Sequence, residues 1–221
     1  GDGWPCWSTG NHDVERVATR WGKNHNSIAK SKIYMAMLLT LRGSVCLYQG
    51  EELGLPEAEL SFDQLVDPFG IAFWPEFKGR DGCRTPIPWK NELLGGFTQS
   101  HQPWLPIAKE QRPLAISVQE GNRHSVLHAY RDFLHVRRNH PELRHGEIEF
   151  LYHNDTTLTF LRSYQNKRLY VAINTSHQDI ILPVELTLSA LTLPEAIQCG
   201  YLDGSTVVLP PFSILLAAVL D

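Results

Sequence analysis

"WPCWSTGNHDVERVATRWG", Trp4 to Gly22, joins a short apolar run to a polar triplet, Asn11-His12-Asp13. The run reads as a buried strand that stops at Gly10, so the triplet lies just past the strand's C-terminal end. Next comes "SIAKSKIYMAMLLTLRG", Ser27 to Gly43, apolar on nearly every side between Ile33 and Leu41 and closed by glycine, which predicts a helix packed on a sheet. "SVCLYQGEELG" follows, with a strand over Val45–Tyr48 halted by Gly50 and two acids. Strand, helix, strand is a parallel α/β unit. The C-terminal end of such a strand is where parallel barrels keep their chemistry.

From Leu53 to Arg123 there is little periodicity and much Pro, Gly and Trp. A structureless loop of that length is uncommon in a compact domain, so a functional segment with small helices of its own is expected. Ser125 opens a second long helix, with Val126, Tyr130, Phe133, Leu134 and Arg137 on one face, ending before Pro141. After Gly146 the period changes. "EIEFLYHND", "TLTFLRSY", "RLYVAINTS", "IILPVEL", "AIQCGYLDG" and "TVVLPPFSILLAAVL" are strand-length pieces divided by turn residues, which predicts an antiparallel β domain over 143–221 after an α/β portion over 1–142.

The chain has 221 residues, a net charge of −4 and 20% charged residues without long runs, which disfavours nucleic acid or an anionic membrane as partner. A neutral or small polar substrate fits better. No stretch of eighteen apolar residues occurs. The four cysteines, Cys6, Cys46, Cys83 and Cys199, form no C-x-x-C pair and read as buried reduced thiols. The ten histidines show no metal-ligand spacing, and His124, His128 and His135 are expected to face solvent. Neither a phosphate-cradling glycine loop nor a G-x-S-x-G nucleophile elbow is present. No metal or cofactor is expected.

Asp13 is a candidate for chemistry at a strand end, with His12 placed to donate to a substrate hydroxyl; equally, Asp13 could cap a helix. In "GRDGCRTPIPW", Arg80 and Arg84 flank Asp81 and are rich in donors for carboxylates or sugar hydroxyls, or else form an ion-pair network that holds the loop. Phe69, Phe73, Trp74, Phe77 and Trp89 could stack on sugar rings, although packing of the loop is the expected role for most. Glu51 and Glu52 could be an acid–base pair or a turn and cap.

Taken in order, "STGNHDVERVATRWG", "SVCLYQGEELGL", "DPFGIAFWPEFKGRDGCRTPIPW", "GGFTQSHQPWLPI" and "LPPFSILLAA" resemble the C-terminal part of the α-glucosidases and oligo-1,6-glucosidases of the α-amylase superfamily. The resemblance implies a (β/α)8 TIM barrel, of which this chain carries the seventh and eighth units, followed by a β-sandwich-like domain. It also implies that Asp13 is the third catalytic carboxylate, holding the hydroxyls of the sugar in subsite −1 beside His12. Arg80 then reaches the same subsite, Arg84 lies near subsite +1, and Glu51 and Glu52 have no catalytic role.

A retaining glycosidase needs a nucleophile and a general acid about 5–5.5 Å apart. In the family these come from earlier strands, and a whole barrel takes about 250 residues. The resemblance therefore implies a fragment that is inactive alone, belonging to an enzyme acting on small oligosaccharides; a cytoplasmic location and self-association through an open barrel edge are also expected. A non-catalytic interaction protein on the same fold, and a transglycosylase or sucrose-active relative, stay open. His12, Asp13 and Arg80 occurring together favour the enzyme lineage.

Overall fold

In chain order the first elements are β1 (Cys6–Trp7), α1 (Val17–Arg20), α2 (Ser27–Thr40), β2 (Ser44–Val45), α3 (Pro68–Ala72), α4 (Ile116–Glu120), α5 (Val126–Asn139) and α6 (Pro141–His145). The strands that follow are β3 (Glu147–His153), β4 (Thr157–Tyr164), β5 (Lys167–Asn174), β6 (Ile180–Pro183), β7 (Leu188–Ala190), β8 (Tyr201–Asp203), β9 (Thr206–Leu209) and β10 (Ser213–Val219). This computed structural model describes residues 3–22 and 27–220. Its chain divides into two units, one of residues 1–7, 32–46 and 129–221, the other of residues 8–31 and 47–128.

In the first unit β1 and β2 pair in parallel, with Cys6 opposite Ser44 and Trp7 opposite Val45. Parallel strands need a crossover, and α2 supplies it. Ile33, Met35, Ala36, Leu38 and Leu39 of α2 are all buried, as a helix apolar on nearly every side must be. Gly43 follows at φ +133°, where a Cβ would lie 2.5 Å from the Pro5 carbonyl. The strand stops at Val45, short of the expected Tyr48.

Arginines collect the carbonyls left unpaired where α2 ends. Arg137 donates to the carbonyls of Leu39 and Gly43, the latter at 2.7 Å. Arg162, fully buried, donates to Thr40, to Gly146 at 2.8 Å and to Glu147 at 3.3 Å. Cations suit the negative end of a helix. Burial, with Arg137 and Arg42 nearby, pushes the Arg162 guanidinium down to about 10.

Strands β3 to β10 form two sheets, ordered β3-β4-β5-β10-β7 and β6-β9-β8. Leu161, Tyr170, Ala172, Val207, Leu209, Leu215 and Ala217 are buried together as their shared core. Alternation puts Phe160, Val171, Ile173 and Leu216 on the other face of the larger sheet, also buried, where α6 packs against β4 and β5. The closing run expected as one strand is two, because Pro210 and Pro211 cannot continue the ladder and Phe212 turns at φ +52°.

The second unit holds the long segment from Leu53 to Arg123. It carries 3-10 turns at Glu51–Leu53, Phe62–Gln64, Asp81–Cys83 and Arg112–Leu114 besides α3 and α4. Ala58, Leu60, Leu65, Leu105 and Ala108 form one small core and Leu53, Leu55 and Leu127 another. Two buried glutamines pin the loop backbone: Gln111 Nε2 donates to the Pro56 carbonyl at 2.7 Å, and Gln119 Nε2 to those of Leu53 and Leu114, each at 2.8 Å. Such bonds replace the ladder that an irregular segment lacks.

Several local expectations need correction. His128 is buried, not solvent-facing: Nε2 lies 3.1 Å from the Glu120 carbonyl, which only accepts, so the ring donates there and Nδ1 accepts from Arg123 at 3.0 Å. Leu134 is exposed rather than part of the buried face of α5. Cys6 and Cys46 are exposed, Cys83 is buried and Cys199 half-buried. Among the described residues no helix is long and apolar enough to cross a membrane.

Candidate active site

All of the sequence-predicted site residues lie in the second unit. The triplet is shaped by its own side chains, because Asn11 Oδ1 accepts from the Asp13 backbone N–H at 2.7 Å in an Asx turn. Asp13 caps no helix; α1 starts at Val17 with Arg16 at its N-cap position and no side-chain cap. Behind the turn, Glu51 is buried and accepts from Thr9 Oγ1 at 3.0 Å and the Tyr48 N–H at 3.3 Å. A Cβ at Gly10 would fall 2.6 Å from Glu51 Oε1, so a larger residue there would push aside the carboxylate that Thr9 holds. Burial pushes the Glu51 carboxyl up. Glu52 accepts from the Gly50 N–H at 2.7 Å. Both glutamates are thus turn-holding groups.

Asp13 is half exposed and meets both predicted arginines. Arg84 Nη2 donates to Asp13 Oδ1 at 2.8 Å and Arg80 Nη1 to the same oxygen at 3.3 Å. His12 Nε2 is 3.4 Å from Oδ2, and Arg84 Nε donates to the His12 carbonyl at 2.7 Å. Asp13, His12, Arg80 and Arg84, 67 to 72 residues apart across the two segments, therefore form one cluster. Trp104 caps it by donating from Nε1 to the Arg84 carbonyl at 3.2 Å.

Asp81, which the sequence places between the arginines, turns away: it is buried and its Oδ2 accepts from the N–H groups of Val66 and Asp67 at 2.7 and 2.8 Å. The carboxylate that does meet Arg80 is Asp67, whose side chain is 0% exposed. Its Oδ2 accepts from Arg80 Nε at 2.9 Å and its Oδ1 from Nη2 at 2.7 Å, a two-pronged fork. Hydrogen bonding to Arg80 holds the Asp67 carboxyl well below the usual carboxylate range. Sequence reading missed this residue because an Asp before Pro68 reads only as a helix cap, which it also is, accepting from the Phe69 N–H at 3.3 Å.

A cavity of about 350 Å³ opens beside the cluster, lined among others by Asp13, Arg80, Glu57, Glu59, Leu65 and Phe77. Burial pushes the Glu57 carboxyl up to about 7, against the Arg16 N–H that donates to it at 2.8 Å. Of the five aromatic residues singled out in the sequence, Trp74 packs on the loop core. Phe69, Phe73, Phe77 and Trp89 are exposed, and Phe69 packs against Phe73 in a tilted pair and against Phe77 edge to face, with ring centroids 4.8 and 5.6 Å apart. A carboxylate and a guanidinium lining one cavity, Asp13 and Arg80, can accept from and donate to neighbouring hydroxyls.

The family model for the alpha amylase catalytic domain matches residues 1–146. The chain belongs to the alpha-amylase family. It is similar to a probable alpha-glucosidase of Rhizobium meliloti (strain 1021), at 49% identity over 180 residues, which is 80% of this chain and 32% of that protein. It also resembles an oligo-1,6-glucosidase of Bacillus cereus, at 25% identity over 86% of this chain and 38% of that protein. The crystal structure of XgtA, an alpha-glucosyl transfer enzyme, superposes with a TM-score of 0.94 and 44% identity over 99% of this chain and 41% of the other. The trehalulose synthase MutB from Pseudomonas mesoacidophila MX-45 shares the fold, with a TM-score of 0.84 at 21% identity, over 99% of this chain and 43% of its own. The chain spans about a third of the length of the curated relatives it matches.

Proposed function

We propose that these residues form the sugar-holding side of a retaining α-glucosidase that acts on terminal α-glucosyl residues of small oligosaccharides. The single observation that carries the reading is Asp13, held by Arg80 and Arg84 at the mouth of a cavity. In it Asp13 accepts from the hydroxyls of the reacting glucose, His12 and Arg80 donate to the same ring, and Arg84 holds the turn that carries Asp13 while facing the leaving sugar. Hydrogen bonds to a neighbouring hydroxyl strengthen as the ring flattens toward an oxocarbenium ion, so the carboxylate favours the transition state over the bound substrate. Barrel units seven and eight, followed by a β domain from about residue 143, are the architecture that goes with this role.

A nucleophile attacks the anomeric carbon and an acid protonates the leaving oxygen; water then displaces the enzyme from the glucosyl carbon, giving retention. Both groups are assigned outside these residues, so the 221-residue chain alone is inactive in this account. Likeness to an alpha-glucosyl transfer enzyme favours a second reading, in which an acceptor hydroxyl replaces water in the last step.

Proton NMR of the anomeric signals tests both parts. During cleavage of p-nitrophenyl α-glucoside by the protein as the cell makes it, α-glucose or an α-glucoside of an added alcohol forms first, whereas the 221-residue chain releases nothing above background. First-formed β-glucose, or turnover by the 221-residue chain, contradicts the assignment.

A further inference from the structure

We infer that Asp67 is the positioning residue of the site: by gripping Arg80 along one edge of its guanidinium it fixes where the remaining nitrogen, Nη1, meets Asp13. Arg80 uses Nε and Nη2 on Asp67, at 2.9 and 2.7 Å, and only Nη1 is left to reach Asp13 Oδ1, at 3.3 Å. A guanidinium is planar, so two bonds to one carboxylate set the direction of its third nitrogen. Asp67 also takes the Arg80 backbone N–H at 2.9 Å, so it fixes both ends of the side chain it aims.

The grip is itself fixed. Asp81 Oδ2 accepts from the Asp67 N–H at 2.8 Å, so the two aspartates tie the ends of the segment between them to each other. Gly79, at φ +79°, brings the chain so close that a Cβ there would lie 3.0 Å from Asp67 Oδ2 and 2.7 Å from Gly70 Cα. With its side chain 0% exposed, Asp67 is unavailable to substrate and reaches Asp13 only through Arg80. The structural duty of Asp67, capping α3, is separable from this one. Asparagine caps as well as aspartate, but its amide nitrogen donates where Arg80 also donates.

The kinetic test rests on the glucosidase reading; a spectroscopic one rests on geometry alone. In the protein as the cell makes it, Asp67→Asn lowers kcat/KM on maltose by about 100-fold, mostly in kcat, as expected for a group that aligns a transition-state contact. Arg80→Lys does the same, and the double variant is no worse than either single one, since both break one device. Multiplying losses, or an unchanged kcat with only a lower unfolding temperature, would overturn the inference. If the wild type cleaves no α-glucoside, or Asp67→Asn does not fold, the nitrogen-15 spectrum of the wild type decides. Arg80 Nε–H, assigned by its loss in Arg80→Lys, gives a separate signal protected from solvent exchange; a signal merged with those of free arginines would overturn the inference.

Discussion

Arg84 Nη2 lies 2.8 Å from Asp13 Oδ1 although 71 residues of chain separate them. The Asx turn at Asn11 gives the triplet its shape but cannot hold it in place; Arg84 does so from outside, through Nη2 on Asp13 and Nε on the His12 carbonyl. Lysine offers a point charge and cannot span both acceptors. Arg84→Lys is therefore expected to lower kcat/KM on maltose by about 10- to 100-fold, at an unfolding temperature within a few degrees of wild type. Unchanged kinetics would show that the turn holds itself.

Glu57 gives the fold a pH dependence. Its carboxyl sits at about 7 in the folded chain and at 4.5 when solvated, so between these values the folded form binds more protons. Stability from this group is full below about 4.5 and is lost as pH rises through about 7. After discounting for its partial exposure, Glu57→Gln should gain about 1–2 kcal/mol on the wild type between pH 5 and pH 8. Urea midpoints for both proteins at the two pH values check this; parallel shifts would remove Glu57 as the cause.

Limited proteolysis separates the well-pinned parts of the long segment from the rest. Gln111 binds the Pro56 carbonyl and Gln119, in α4, those of Leu53 and Leu114, whereas residues 89–93 and 99–102 are exposed. Trypsin should cut first after Lys90 and leave the β domain from about residue 143 intact. Early cuts between Tyr152 and Leu216 would contradict the independence of that domain.

Among the described residues β1 and β2 pair only with each other, and Trp4 and Trp7 beside them are exposed. Open strand edges next to apolar surface invite pairing with another chain. Sedimentation velocity of the 221-residue chain at micromolar concentration should show dimers or larger species. A monomer that binds no apolar dye would show that the edge is covered.

Parallel pairing of β1 with β2 across α2 was legible because an apolar helix between two short apolar runs admits few other arrangements. The meeting of Asp13 with Arg80 and Arg84 came only from resemblance to a family, since nothing local in either segment points to the other. Asp67 and His128 were illegible for a shared reason: each has a common local role, cap or surface helix residue, and its burial depends on distant chain. Exposure of Phe69, Phe73 and Phe77 escaped the sequence because composition cannot say which aromatic residues a loop turns outward.

The most direct measurement is the steady-state kinetics of Asp13→Ala on maltose, in the protein as the cell makes it. If Asp13 holds the sugar mainly in the transition state, kcat and kcat/KM fall together by several orders of magnitude while the unfolding temperature hardly moves. A rise in KM with kcat intact would mean that Asp13 binds substrate and transition state alike, and near-wild-type kinetics would place the site elsewhere.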